Sequence, residues 1–437
     1  MIPLYTSAAV WPLWGSKGCC LAAVLVCVMA LSACSDRQHR NPLDPLTTNP
    51  LDTSTPIDAI ASNGGVSLTW DYSQFEDLSG YRLHRSAFSI DGTAQELTVR
   101  DLSASTVQFE DLDVNNGRTY QYRLSLIVDG DGELELTGIE LATPGPEVAW
   151  AADAAAGLLW KLSPDGRNGL FARGRFNFGG MAVNRHDRSC WVSDAVTGLH
   201  RIDVDGDVDP VQTELMEAGD LSLDPDGSLG WVADSADASV YSFSLDSLDS
   251  LRLVQVDASF VDPFQMAAIG GGCWIADREQ GRILLYSAEG ERVVDWRGFS
   301  DLSAIAAADA PLLPNGGNVV WGIEEAGARL LRFEVGAGGL DVDLPFAPVL
   351  SIDVDDLTGN CWALGESDIA LFGADGTPLT HWSEVNLGAI GLTVDGHNGG
   401  VWLAANSALW KLSIELDRPT RLDGFISVFG IEVDPGM

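Results

Sequence analysis

Lysine is almost missing from this chain: only Lys17, Lys161 and Lys411 stand among 437 residues. With arginine the cations reach 25 against 63 acids, a formal net charge of −38. A surface of that sign repels phosphate, which excludes a nucleic-acid-binding domain of the usual basic kind. Long apolar runs are scarce as well. The run Cys19 to Ala33 has 15 residues, enough for the core of a signal peptide and short for a membrane-spanning helix. Cysteine is sparse, and no Cys-x-x-Cys spacing offers a zinc or thiol-redox site. Gly-rich phosphate loops, His-Glu-x-x-His and Ser-His-Asp spacings are missing too. The histidines His186, His200, His381 and His397 fall at unrelated positions, mostly near turns.

What is present is hydrophobic mass and turn chemistry. Hydrophobic residues make up 46% of the chain and there are 14 tryptophans, which is enough to build a large core and excludes wholesale disorder. Many acids are aspartates in turn signals such as Pro164-Asp165-Gly166, Asp205-Gly206, Pro225-Asp226-Gly227 and Asp375-Gly376. There the carboxylate caps its own turn and glycine supplies the positive φ. The acidity would also suit a high-salt habitat.

The apolar run ends in Leu31-Ser32-Ala33-Cys34, which resembles the lipobox of bacterial lipoproteins. That resemblance implies that residues 1–33 are a signal peptide and that Cys34 is lipidated as the first mature residue. Ser35 after it implies sorting to the outer membrane, with the periplasmic or surface face left open. So acidic a protein is held by its acyl chains and not by charge. Residues 34–56, with repeated Asn-Pro and Asp-Pro steps, form an extended tether. Of the other cysteines, Cys190, Cys273 and Cys361 each directly precede a tryptophan and read as small buried hydrophobes.

Residues 57–146 carry short alternating runs such as Val66-Ser67-Leu68-Thr69-Trp70 and Thr119-Tyr120-Gln121-Tyr122, separated by Asn-Gly and Asp-Gly turns. These are half-buried strands. The segment resembles a fibronectin type III domain, with Trp70, Tyr81, Leu112 and Tyr120 as landmarks, and that resemblance implies an immunoglobulin-like sandwich serving as spacer or docking surface.

In residues 147–437 a tryptophan recurs at 150, 191, 231, 274, 321, 362 and 402. An aspartate follows three positions after the first four, at Asp153, Asp194, Asp234 and Asp277, while Glu324, Gly365 and Ala405 replace it later. Ahead of six of the tryptophans lies a strand with apolar residues two apart. Before Trp150 it is missing, and its counterpart appears at the C-terminus as Gly430-Ile431-Glu432-Val433-Asp434. The pattern predicts an all-β fold: a seven-bladed β-propeller following the sandwich, closed by the C-terminal strand. The repeats resemble the NHL and related propeller families, and the resemblance implies fold more than function.

A residue present in every repeat serves packing, so ligand sites are sought at the inner strands and their approach loops. Phe178, Phe264, Phe346 and Phe429 are placed to ring a mouth of the propeller, and Gln265 and Thr393 to face its axis. These are the candidate ligand-binding residues of a non-catalytic platform for a protein or glycan, needing no cofactor. The alternative is a lactonase-like hydrolase in which Asp220, Asp353 and Glu432 hold an axial divalent cation. The acidic run Asp203 to Asp209 lacks flanking helices and reads as a hairpin turn rather than a calcium loop.

Overall fold

Alternation of apolar and polar residues produces strands throughout, and the one helical element among the described residues is the turn Glu325–Gly327. In the computed structural model the described residues are 57–434, apart from 73–77, 89–93, 129–131, 137, 212–213, 246–252, 258, 311–316, 335–337, 384, 386, 396–399 and 413–418. Every described residue belongs to one compact unit within residues 49–437. The expected signal peptide, Cys34 and the tether lie outside the described residues, as does His397.

The N-terminal part pairs a three-stranded antiparallel sheet with a five-stranded one. The first contains Asp58–Ser62, Gly65–Thr69 and Gln108–Asp111; the second contains Leu78–Phe88, Ala94–Ser103, Tyr120–Val128, Gly132–Glu135 and Glu140–Ala142. Val66, Leu68, Trp70, Tyr81, Leu83, Tyr122 and Leu124 share one buried core. Trp70 meets Tyr81 edge-on with centroids 5.6 Å apart, and the Asn115 N–H donates to Tyr120 Oη at 2.9 Å. Arg85 ties the sheets together, donating from Nη1 to both oxygens of Asp111 at 2.8 and 2.9 Å. Leu112 is 72% exposed. The strand that ends at Asp111 turns that carboxylate inward, so the next side chain points to solvent.

The rest of the chain forms seven four-stranded antiparallel sheets. Six are contiguous in sequence, with inner strands Phe178–Val183, Ala218–Leu223, Pro263–Ile269, Ala304–Ala310, Val349–Val354 and Ala389–Asp395. The remaining sheet takes three strands from Val148–Asp153, Leu158–Leu162 and Gly169–Arg173 and its inner strand from the far end of the chain, Val428–Asp434. Glu432 lies opposite Trp150, and Ile431 opposite Ala151. Each inner strand neighbours the next, and Val428–Asp434 neighbours both Ala389–Asp395 and Phe178–Val183, so the ring closes as a β-propeller.

The recurrent tryptophans are fully or almost fully buried between neighbouring sheets. Trp150 packs with Met181, Cys190 and Val192, Trp231 with Cys273 and Tyr286, Trp321 with Cys361 and Phe372, and Trp402 with Ala149 and Ile431. The three cysteines are therefore the small partners of the preceding sheet's tryptophan. All three are buried and free, and burial pushes each thiol well above its ordinary range. At Gly166, φ is +68° and a Cβ would stand 2.8 Å from the Trp402 ring, so both the turn and the packing require glycine.

Candidate functional site

The end of the ring where the inner strands begin is organised by the recurrent aspartates. Asp194 accepts the N–H groups of Val196 and Thr197 in its own turn at 2.8 Å, and that of Asn177 in the approach to the inner strand at 2.6 Å. Asp153, Asp234 and Asp277 repeat this double role. These bonds hold the Asp194 carboxyl below the usual range, outweighing the burial that raises it. Glu324 does the same work with a longer arm, accepting Ser300 N–H at 2.6 Å.

Six of the seven inner strands carry a β-bulge beside this end, and only Ala304–Ala310 pairs without one. A bulge leaves a residue unpaired and re-aims its side chain. Phe264, Leu350, Ile390 and Phe429 occupy bulge positions. Leu350, Ile390 and Phe429 lie on three neighbouring inner strands and are 40%, 48% and 48% exposed. In the approach loops at this end Met216, Val261 and Ile426 are exposed too. The result is a discontinuous apolar rim around one mouth.

Of the four phenylalanines expected at a mouth, Phe429 is on this rim, and Phe178 stacks on it at 6.1 Å between centroids. Phe264 is half-buried under the Arg278 guanidinium, 4.0 Å from its ring centroid. Phe346 packs beside His381, 5.7 Å between rings, and against the core between two sheets. Leu350 and Ile390 were not anticipated: aliphatic residues in an apolar strand carry no visible mark until the bulge turns them outward.

Inside the ring all seven inner strands line a cavity of about 290 Å³. Asp220, Gln265, Asp353, Thr393 and Glu432 all face it, together with Arg185, Ser222, Ser351, Asp355 and Asp356. Most of these polar groups are engaged with the adjacent inner strand. Asp220 accepts Met266 N–H at 2.6 Å, Gln265 Oε1 accepts Ile305 N–H at 2.8 Å, and Ser222 accepts Ala268 N–H at 2.9 Å. Asp353 accepts Val394 N–H at 2.8 Å and the Thr393 hydroxyl at 3.0 Å. Inner strands present unpaired N–H groups to their neighbours, and these side chains satisfy them. Gln265 and Thr393 thus serve the ring itself. Arg185 and Asp356, in the turns that follow two inner strands that are not ring neighbours, form an ion pair across the opposite mouth.

The three axial carboxyls share this cavity. Burial pushes Asp220 up to about 7 and Asp353 up to about 6, against the N–H bonds that lower them. Burial, helped by the charges of Asp353 and Asp220 and opposed by Arg185, pushes Glu432 up to about 8. Each side chain is partly exposed to the cavity and otherwise packed among protein atoms, which disfavours its charged form. The three line one cavity without forming a metal-ligand set. Among the described residues no three His, Cys, Asp or Glu groups stand close enough to hold a metal ion, and Asp220 and Asp353 point oxygens at backbone amides.

The run 203–207 is the turn of a hairpin, with Asp203 Oδ1 accepting the N–H groups of Asp205 at 3.0 Å and Asp207 at 2.9 Å. His200 lies on the third strand of its sheet, bonded to Thr197 at 2.8 Å, and His381 on an outer strand, bonded to Asp368 at 2.9 Å.

No family model matches the chain. Among curated proteins, an amylopullulanase of Thermoanaerobacterium saccharolyticum is 32% identical over 95 residues, which is 22% of this chain and 7% of that protein. Similar solved structures include a streptogramin B lyase, 14% identical with a TM-score of 0.46 over 59% of this chain and 86% of that one. The hydrazine synthase of Kuenenia stuttgartiensis is 12% identical with a TM-score of 0.47 over 65% and 94%. β-propellers are among these structures.

Proposed function

We propose that this chain is a lipid-anchored cell-envelope protein whose propeller is a non-catalytic binding platform for a protein or glycan. In this reading Cys34 carries the acyl anchor, residues 34–56 are the tether, and residues 57–146 are a fibronectin type III-like module. Residues 147–437 are a seven-bladed propeller that binds through its bulge-lined mouth. The lipobox-like Leu31-Ser32-Ala33-Cys34 supports the anchor. The two-sheet core with the Asn115 to Tyr120 bond supports the module, and seven sheets in a closed ring support the blade count.

The observation that carries the platform reading is the exposed apolar rim of Leu350, Ile390 and Phe429, presented by bulges on consecutive inner strands. Apolar side chains held outward on a rigid ring are what a recognition surface needs, and burying them against a partner is favourable. The polar residues of the axis, by contrast, are mostly committed to joining blades.

The test uses the full-length protein in its native cells, with a photo-cross-linking residue at Ile390 or Phe429 and, as control, at Val208 on an outer strand. The expected result is one recurrent protein or glycan captured from the two rim positions and not from the control. Equal capture from all three positions, or capture unchanged by Leu350→Asp, would overturn it.

A further inference from the structure

The bulge-lined end of the ring is unevenly furnished around its circumference. Over four neighbouring sheets it is apolar: Leu350, Ile390 and Phe429 stand on inner strands, Ile426 in an approach loop and Val196 in the turn after Asp194. Ile426 is 66% and Val196 74% exposed, so the apolar arc continues past Phe429 onto the next sheet.

Over the other sheets the same loops and turns carry exposed acids. Glu214 and Glu217 lead into Ala218–Leu223, Glu279 follows Asp277 in its turn, and Asp301 leads into Ala304–Ala310. None of these carboxylates has a hydrogen-bond or ion-pair partner among the described residues. Elsewhere on the ring exposed acids are matched with arginine, Asp187 and Asp209 with Arg201, and Asp341 with Arg329. The exposed Arg278 on this side is engaged with the Phe264 ring and lies 3.7 Å from Asp262. The sandwich meets the ring at the other end, since Asp165 and Asn168, which it contacts, lie in the turn after Leu158–Leu162. Leu162 pairs with Ala149, near the start of the adjacent strand and remote from the Asp153 turn.

A face that is aliphatic on one side and unneutralised acid on the other repels acidic glycans. It also offers a neutral glycan little to stack on, because Phe429 is the one aromatic among the exposed apolar residues of the rim. We propose that this mouth recognises a protein segment with apolar side chains at one end and arginine or lysine at the other, laid across the opening. The apolar end covers Ile390 and Phe429, and the basic end reaches Glu217 and Glu279. Burial of the apolar arc supplies affinity, and the charges fix direction and speed encounter. Such a partner presupposes the platform reading and narrows it to a basic protein.

The test pans a random-peptide library displayed on phage against the full-length protein in detergent, after removal of phage that bind the Ile390→Asp variant. The expected survivors join a run of arginine or lysine to a run of apolar residues. The most abundant one, synthesised, should bind saturably and at least about tenfold more weakly to the double variant Glu217→Lys, Glu279→Lys. Its affinity should be unchanged in Glu291→Lys, an exposed position in the turn between Arg282–Ser287 and Arg292–Arg297. All the substituted acids are exposed, and unchanged melting temperatures check that the variants are folded. Survivors without basic residues, equal weakening in Glu291→Lys, or no survivors would overturn the proposal. Cross-linking at the rim separates it from the platform reading. A glycan captured at Ile390 or Phe429 keeps the platform and excludes the basic segment, whereas no capture there ends both.

Discussion

At the scale of single residues, this protein spends its carboxylates as backbone acceptors. Asp194 gathers three N–H groups from two chain segments, so replacing it with alanine strands donors in a buried corner. We expect Asp194→Ala to cost about 3 kcal/mol in urea denaturation, whereas Ala405, at the equivalent place without a carboxylate, should tolerate serine within about 0.5 kcal/mol. The axial acids have the opposite electrostatics. Asp220, Asp353 and Glu432 are raised to about 7, 6 and 8, so the folded state holds protons that the unfolded chain has released. Their contribution is full below about pH 4 and is lost as pH rises toward 8. Asp194 and Asp187 are lowered, so theirs is lost only as pH falls below the ordinary carboxylate range. The melting temperature should therefore peak near about pH 5 and decline toward pH 8. Glu432→Gln should flatten the decline between about pH 6 and 8, as followed by circular dichroism. A decline just as steep in the variant would assign the pH dependence elsewhere.

At the scale of elements, the bulge is the decisive device. It ends the regular pairing of an inner strand, frees one side chain, and turns that side chain toward the mouth. Because the freed residue contributes little to the core, Ile390→Asp and Phe429→Asp should leave stability within about 0.5 kcal/mol while removing capture at the rim. The C-terminal strand carries far more. Val428–Asp434 completes the first sheet and closes the ring, and Ile431 and Val433 pack with Trp402 and Ala149. Truncation before Val428 would expose the edge of Val148–Asp153 and that core together. The expected outcome is loss of the cooperative unfolding transition and rapid cleavage in limited proteolysis; a truncated chain that melts like the parent would contradict the closure argument.

At the scale of the whole molecule, charge and address dominate. A net charge of −38 keeps the surface hydrated and opposes contact with anionic lipid, so in the reading proposed above attachment would come from acyl chains at Cys34. Cys34→Ala should move the protein from the membrane fraction to the soluble fraction of lysed cells without changing its melting temperature. Retention in the membrane would point to another attachment. The sandwich and the ring also touch: Thr143 N–H donates to Asp165 at 3.1 Å and Asn168 to the carbonyl of Ala59 at 2.9 Å. These are a few polar contacts beside two separate cores.

Much of this architecture could be read without coordinates, because repetition leaves a periodic mark. Tryptophans about one blade apart, a missing first inner strand and its counterpart at the C-terminus together implied a closed ring, and the ring is what the strands form. The aspartate after each early tryptophan was legible as turn chemistry, though not its reach to the approaching strand, nor Glu324's ability to do the same. What the sequence could not reveal was direction. Whether Gln265 or Asp353 faces a ligand or a neighbouring amide depends on which backbone N–H groups the ring closure brings within about 3 Å. Whether Leu350 or Ile390 is core or rim depends on one unpaired residue. And that Asp220, Asp353 and Glu432 face one another acquires meaning only when seven strands from distant parts of the chain line the same cavity.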